Sequence, residues 1–567
     1  MMSSIRLQQG DLSEWLDDLR CSILDEPPST AKELEIIRRK VAKKHKLKMP
    51  PGDAQLFSIL DDDLKIKIGK FLRRKPTRTL SGVAPVAIMT SPFGCPHGTC
   101  TYCPGGPEFG TAQSYTGHEP AARRAARHGF EASSQVLDRL GQYSAIGHDA
   151  SKIDLIIMGG TFTGRDLEYR ESFIKGAFDA ANGNISESLK SSLKTNEDAE
   201  NRIIGLTIET RPDQCSSRAI DWMLENGTTR VELGIQSLND EVLNRVNRGH
   251  SVSSGIRASK RCRDAGLKLN LHMMPGLPGS NAQKDKKMII KLMHDENWRP
   301  DMLKIYPCLV VKGSQLVQEW ESGEFIAMEN ETAINLIADI LCKAPPWLRI
   351  QRIQRDIPSH EIIAGVTAGN LRQLATRLLE KQGRRSGCIR DREIGRIKNK
   401  PEENQFRTVI RQYNSAGGEE LFISQEAPLI HPNEIKIDGF EGGVPLEKGI
   451  HKWTPADPNG GVIAGFLRMR KPSKEIWRDE INEKTAIIRE VKIFGTAVGV
   501  GEEGSKNSSQ HKGLGSHLMN VAEKIAKEYW GSENIIVTAG IGVRKWYKIQ
   551  GYERVGPWMG KNITRKN

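Results

Sequence analysis

Cys95-Pro-His-Gly-Thr-Cys100-Thr-Tyr-Cys103 decides how this chain is read. The C-x4-C-x2-C spacing gathers three thiols on one loop and leaves a fourth ligand position open. A cubane iron–sulfur cluster ordinarily takes four cysteine thiolates, so a compact trio without a fourth Cys nearby calls for another group, typically a cofactor, on the unique iron. S-adenosylmethionine suits that role. The competing reading is a zinc knuckle closed by His97 or by a distant Cys, and on spacing alone the two stand level. Tyr102, directly before the last Cys, and Pro104-Gly105-Gly106 after it favour the cluster. An aromatic ring there can lie along an adenine, and glycines let backbone approach a cofactor closely.

Outward from that loop, from about residue 82, short β-rich runs alternate with helix-length segments. The predicted strands are residues 83–90, 153–158, 203–209, 230–235, 267–274 and 302–306. Predicted helices over 214–226 and 252–265 stop at Gly227 and Gly266, the usual C-terminal signal. Apolar strands with helical crossovers imply parallel strands buried on both faces. An open doubly wound sheet and a partial barrel both put the site at the C-terminal strand ends. Those ends carry Gly159-Gly160-Thr161, whose exposed backbone suits an ammonium, then Glu209 for ribose hydroxyls, Arg211 for a carboxylate, and Gln236. With Tyr102 they form a mouth suited to methionine, ribose and adenine.

The whole chain has 567 residues, so several domains are expected. Its longest apolar stretches are strand-sized, and the N-terminal residues lack a signal-peptide core, which predicts a cytoplasmic protein with no membrane partner. Nine cysteines are too few for a disulfide scaffold. A net charge of +13 favours a polyanionic partner. Residues 38–48 hold seven Lys or Arg and no acid, further basic residues follow from Lys65 to Arg78, and a second cluster runs from Arg384 to Lys400. The clusters predict contacts to nucleic-acid phosphates. Beyond about residue 401 the chain reads as a compact α+β unit, with predicted strands at 420–424, 462–469, 487–494 and 535–537. Gln510-His511-Lys512-Gly513-Leu514-Gly515 opens a predicted helix over 516–527, a pattern that cradles a pyrophosphate at a helix N-terminus. This order is similar to the acetyl-CoA-dependent N-acetyltransferase (GNAT) fold.

The combination resembles the catalytic subunit of Elongator, a tRNA-modifying radical SAM acetyltransferase. The segments that carry the resemblance are Arg73 to Ala84, Cys95 to Gly106, Gln113 to Pro120, Met158 to Phe162, Gln354 to Ser359 and Gly495 to Val498. The resemblance implies an α/β multidomain chain: a basic tRNA-binding region over 1–80, a partial (β/α)6 radical SAM barrel over 81–315, a helical connector over 316–400, and a GNAT-type domain over 401–567. It implies a [4Fe–4S] cluster on Cys95, Cys100 and Cys103, S-adenosylmethionine as the radical source, and acetyl-CoA as co-substrate. The product would be a carboxymethyl group on C5 of the tRNA wobble uridine. An electron donor is required, and a homodimer or accessory subunits are compatible with the sequence.

By carry-over of motifs, Lys152 and the strand Arg489-Glu490-Val491-Lys492 would contact acetyl-CoA, with Gly513, Leu514 and Gly515 on its pyrophosphate. Lys152 and Tyr547 are the catalytic candidates. The family's Tyr-Tyr pair reads Trp546-Tyr547 here, so a hydroxyl role passes only to Tyr547. The family's zinc site survives only as Cys308 and Cys388, which predicts its loss, His360 and Asp391 being the remaining possible ligands. Because Lys152 and the C-terminal strand would share acetyl-CoA, the C-terminal module is expected to pack against the barrel mouth. The alternatives are a protein lysine acetyltransferase with a structural cluster, and a tRNA-binding scaffold with both sites degenerate.

Overall fold

The computed structural model describes residues 9–47, 52–72, 79, 81–427, 444–445, 450–453, 460–494 and 513–564. The chain forms two compact units, Met1–Ala84 with Leu137–Ser151, and Pro85–Val136 with Lys152–Asn567.

The first unit is helical, with helices Gln9–Asp25, Ala31–Lys44, Asp53–Ile59 and Asp62–Leu72. Trp15, Leu19 and Ile23 recur every four residues, so they share one helix face, and that face buries against Leu34, Val41, Leu64 and Ile68. Thr30 caps the second helix by accepting from the Glu33 amide at 3.2 Å. The first basic run lies on this helix. Arg38 is buried and bridges to Asp53 at 2.8 Å, and Lys44 reaches Asp18 at 2.6 Å, while Lys40, Lys43 and Lys46 are exposed. Residues Arg73 to Arg78 lie outside the described residues.

The second unit contains two large sheets. One has seven strands in the order β1 (Ala84–Met89), β2 (Lys152–Met158), β3 (Arg202–Thr210), β4 (Arg230–Gln236), β5 (Lys268–Met273), β6 (Met302–Ile305) and β7 (Arg349–Ile353). From β2 to β7 every neighbouring pair is parallel. The sheet does not close, since β1 and β7 are its edges. Strand alternation divides β2 cleanly: Ile153, Leu155 and Ile157 are fully buried, while Lys152, Asp154 and Ile156 point the other way. The sequence placed six strands here; β7 is a seventh, from the segment read as a helical connector. Its Arg349 and Arg352 hide the strand pattern, and the structure pairs them with Glu393 and Asp356.

The other sheet has nine strands and includes β8 (Arg407–Ser415), β9 (Gly418–Ala427), β10 (Val462–Lys471), β11 (Thr485–Ile493), β12 (Asn534–Val537), β13 (Glu553–Val555) and β14 (Trp558–Asn562). The helix Leu514–Glu528 buries Leu518, Met519, Ala522 and Ile525 against it.

The C-terminal sheet docks on the starts of the parallel strands, not at their mouth, which corrects the expectation from sequence. Gly266 sits in the left-handed region just before β5, and a Cβ there would lie 2.4 Å from Thr538 Oγ1, so only glycine permits this approach. Trp558 Nε1 donates to the Ala265 carbonyl at 3.3 Å, and Arg544 pairs with Glu197 at 3.3 Å. At the centre a balanced buried set joins the layers: Arg263, Arg468, Arg470 and Arg489 against Asp264, Asp301, Glu420 and Glu490. Trp347, ahead of β7, stacks on Tyr413 of β8 at 4.3 Å, a contact worth about 1 kcal/mol beyond its area.

The second basic cluster is another correction. Arg392 is buried and donates to the carbonyls of Gly387 and Gly461 at 3.0 and 2.8 Å. Arg396 reaches Glu393 at 3.0 Å, and Arg384 reaches Asp339 at 2.9 Å. The cluster is in large part internal scaffolding. A one-dimensional charge count misses this because it shows neither burial nor which charges pair.

Candidate active site

The cysteine loop follows β1 and is tied at its middle. Thr101 N donates to the Val246 carbonyl at 3.2 Å, and its own carbonyl accepts from Leu316 N at 2.9 Å. This turns all three sulfurs toward polar partners. Thr161 Oγ1 lies 3.4 Å from Cys95 Sγ, Arg248 Nη1 lies 3.8 Å from Cys100 Sγ, and Gln113 Nε2 donates to Cys103 Sγ at 3.2 Å. Burial pushes the Cys95 and Cys103 thiols up from their ordinary range, so a metal's charge is what would draw thiolates there.

His97 is the point at which cluster and zinc knuckle separate. Arg211 Nη1 donates to His97 Nε2 at 2.9 Å, so the lone pair nearest the sulfurs is taken. Burial, with Arg211 and Arg248 nearby, lowers the His97 pKa to about 4, which keeps the ring neutral as an acceptor. The donor set therefore fits a three-thiolate cluster with an open fourth position.

Beside the thiols lies a cavity of ≈ 140 Å³ lined by Cys95, Tyr102, Gly160, Thr161, Glu209 and Gln236 among others. The structure thus gathers all the residues assigned to S-adenosylmethionine from sequence except Gly159, which serves the turn. A Cβ at Gly159 would fall 2.1 Å from Thr90 Oγ1. Gln236 adopts φ 71°, a strained choice for a non-glycine residue, and its Oε1 is buried without a partner among the described residues. A buried acceptor of this kind suits a ligand. Arg211 also lines the cavity, but its guanidinium already donates to Asp213 at 3.0 Å and to the Arg248 and Gly249 carbonyls at 2.8 and 3.1 Å. Its structure-holding role was not visible in sequence.

Sequence reasoning placed His272 at the end of a predicted strand but missed Arg248, Glu232 and Lys304. They form a polar column down the inner face of the sheet. Lys304 Nζ reaches Glu209 at 3.3 Å and also pairs with Glu232, while His272 Nε2 lies 2.8 Å from Glu232. Below them Asn270 Nδ2 donates to Glu232 at 3.1 Å and to Gln351 at 2.6 Å, and Arg230 reaches Asp154 at 3.1 Å. The period-two alternation of β4, β5 and β6 carried this signal, but polar residues in strand interiors do not announce their partners. Lys304 holds Glu232 well below the usual carboxylate range against the cost of burial.

Lys152 lies on the same face at the foot of β2, exposed. Near that foot lies β11. Lys492, half-buried near Asp154 and Arg349, has its pKa pulled down to about 7, mainly by desolvation. Glu490 pairs with Arg468 at 3.0 Å, and Arg489 belongs wholly to the buried ion set, which leaves only the β11 backbone free of these ties at those two positions. Val491 packs on the C-terminal core with Leu514. Gly513 caps the helix Leu514–Glu528 in the left-handed region, Trp546 lies over Gly515, and Tyr547 is buried at 4.9 Å from the Trp546 ring. Gln510 to Lys512 and Gly495 to Val498 lie outside the described residues.

Cys388 is buried and accepts from Ile350 N at 3.1 Å, and Asp391 is bonded by Arg372 at 2.8 Å. Cys308 packs in a different cluster with Tyr102 and Met274. Neither Cys308 nor Cys388 falls in a metal-ligand group among the described residues.

A cysteine trio on the loop after the first strand of an open parallel barrel, beside a cavity with unmet acceptors, defines a radical SAM protein. Accordingly, residues 89–291 match the Radical SAM superfamily and residues 300–381 the Radical_SAM C-terminal domain, a class that implies a [4Fe–4S] cluster and S-adenosylmethionine. The chain is 42% identical over 520 residues to the tRNA uridine(34) acetyltransferase of Methanocaldococcus infernus, covering 90% of this chain and 92% of the relative. It is 36% identical over 542 residues to human Elongator complex protein 3, covering 94% and 93%. A solved structure of the archaeal Methanocaldococcus infernus Elp3 with an N-terminal deletion superposes with a TM-score of 0.71 and 39% identity, covering 85% of this chain and 100% of the other. The chain belongs to the family of Elongator complex protein 3 and the tRNA uridine(34) acetyltransferases.

Proposed function

We propose that this chain modifies the wobble uridine of tRNA, joining a carbon unit from acetyl-CoA to C5 by radical chemistry. One observation carries the reading: the cavity beside the thiols and the charged end of β11 lie at opposite ends of one sheet, joined by the polar column Glu209–Lys304–Glu232–Arg230–Asp154, with Asn270 also on Glu232. When bound, the cluster and S-adenosylmethionine supply hydrogen-abstracting radical chemistry at the upper end. Cys95, Cys100 and Cys103 would hold the cluster. Gly160, Thr161, Glu209 and Gln236 would orient the cofactor, and Tyr102 would close the wall behind it.

At the lower end, the C-terminal unit is read as a GNAT-type module. The support is its β11 strand, the glycine-capped helix at Gly513 and the adjoining Tyr547. Backbone amides at a helix start suit a pyrophosphate. Lys492, whose pKa is pulled down to about 7, and Lys152 at the foot of β2 are the amines offered at this end. The column between the ends is too polar to be core filler. It holds fixed dipoles and buried charges between the two ends, and such preorganisation is what a reactive centre needs.

The exposed Lys40, Lys43 and Lys46 suit tRNA phosphates, consistent with residues 1–80 as the tRNA-binding region. No helix among the described residues is long and apolar enough to cross a membrane, and tRNA as substrate is consistent with work in the cytoplasm. A reductant is needed for the cluster, and partner subunits are compatible with the reading. A protein lysine acetyltransferase would leave the cavity and column without use. The test is anaerobic reconstitution with S-adenosylmethionine, acetyl-CoA, a reductant and tRNA, followed by nucleoside mass spectrometry. A carboxymethylated wobble uridine is expected; unmodified tRNA from a cluster-loaded enzyme would reject the proposal.

A further inference from the structure

At the rim of the cavity, away from the thiols, three ligating side chains converge from two separate segments. His118 Nδ1 lies 3.0 Å from Glu361 Oε1, and His360 Nε2 lies 3.3 Å from the same oxygen. One ligand atom from each residue fits within a 4.8 Å sphere of mutual distances. Around a tetrahedral zinc ion with bonds of about 2.1 Å, neighbouring ligand atoms stand about 3.4 Å apart. The observed spacings are close to those edges. We propose that His118, His360 and Glu361 form a divalent metal site, suited to zinc, with one coordination position left to solvent.

The chemistry of the set supports this. Two imidazoles and one carboxylate are borderline ligands that zinc accepts readily, and three protein ligands leave the fourth position open. Glu361 is fixed from both sides, its amide donating to the Pro358 carbonyl at 3.0 Å and its carbonyl accepting from Lys312 N at 3.2 Å. The loop carrying His118 is shaped independently: Glu119 accepts from Thr116 N at 3.0 Å, and Thr116 Oγ1 accepts from His118 N at 3.2 Å. Both loops are thus set before any ion arrives. A carboxylate hydrogen-bonded to two imidazoles would give similar distances, and this is the alternative that the experiment must exclude.

The position gives the ion a consequence. The segment before His118 supplies Ser114 and Tyr115 to the cavity, and the segment before His360 supplies Arg355 and Asp356. Arg355 already bonds the Ser114 carbonyl. A metal at His118, His360 and Glu361 would add a second clasp between the same two walls. These residues are distinct from Cys308 and Cys388, so the site does not depend on the degenerate cysteine pattern.

The test uses the full chain, cluster-loaded and anaerobic, dialysed against Zn²⁺ and then against buffer, with zinc and iron counted by mass spectrometry. The wild type should retain one zinc per chain, and His118→Ala and His360→Ala should each bind it at least about 100-fold more weakly, more than an outer-shell change costs. Iron content and the melting temperature of the zinc-free proteins should not change, since both rings are exposed. X-ray absorption at the zinc edge should show only nitrogen and oxygen neighbours near 2.0–2.1 Å, the lengths such bonds take. A zinc-free wild type, zinc retained in both variants, or sulfur neighbours at about 2.3 Å would overturn the proposal.

Discussion

Arg489 grips Asp301 with both arms, Nη2 to Oδ1 at 2.6 Å and Nη1 to Oδ2 at 2.7 Å, and neither side chain is exposed to solvent. Asp301 precedes β6 and also accepts from Leu269 N at 2.8 Å, while Arg489 lies on β11. One ion pair thus joins the floor of the parallel sheet to the C-terminal layer.

Breaking that pair should be costly. Asp301→Asn or Arg489→Leu leaves the buried ion set unbalanced by one charge, a loss of about 3–5 kcal/mol. Urea unfolding should show a lowered midpoint for each variant. A midpoint within error of the wild type would mean that water enters this interface.

Much of the parallel sheet was legible in sequence because its strands carry apolar runs and the helices between them are ended by glycine, as at Gly227 and Gly266. The seventh strand was not, because Arg349 and Arg352 break its apolar pattern, and Arg349 faces Glu393 from a later segment. The cavity residues Tyr102, Gly160, Glu209 and Gln236 were legible as strand-end motifs. Arg489, by contrast, reads as a cofactor contact in a motif, and only the fold reveals that its guanidinium is enclosed by Asp301 and Glu420. The docking face was misjudged for the same reason, since contacts between layers leave no local pattern.

Lys492 makes a pH prediction. Its pKa is about 7 in the folded chain against an ordinary 10.5, so between those values the unfolded chain binds a proton that the folded chain lacks. Stability from this group therefore rises with pH across that window. Compared with Lys492→Met, the wild type should gain relative stability from about pH 7 upward, measured by denaturant unfolding at several pH values. A pH-independent difference would place the amine in water.

Lys304→Met should take from the buried Glu232 its ammonium partner, leaving it Asn270, His272 and Arg230, and lower stability by up to about 3 kcal/mol. Adding Glu232→Gln should recover part of that loss, since contacting residues are not additive. Thermal unfolding of the two single variants and the double variant gives the coupling. Strict additivity would deny the column its role as one network.

Cys100→Ser should leave the fold intact but lower iron content and S-adenosylmethionine cleavage to background, because two thiolates cannot hold the cluster. Lys152→Ala should do the reverse, keeping cleavage while slowing acetyl-CoA consumption in the presence of tRNA by about tenfold or more, the scale typical of a lost positioned group. Chromatography of deoxyadenosine and free CoA reads both. If Lys152→Ala left acetyl-CoA consumption unchanged, the lysine would be a surface charge only.

The central claim is that the two ends of the sheet serve one reaction, and acetyl-CoA with a fully deuterated acetyl methyl tests it most directly. Cluster-loaded enzyme would be incubated anaerobically with this substrate, S-adenosylmethionine, a reductant and tRNA, and the 5′-deoxyadenosine isolated for mass spectrometry. The account predicts deuterium in the 5′-deoxyadenosine together with deuterium-labelled wobble uridine. Modified tRNA accompanied by deuterium-free 5′-deoxyadenosine would contradict it, because the radical would then have taken its hydrogen from somewhere other than the acetyl group.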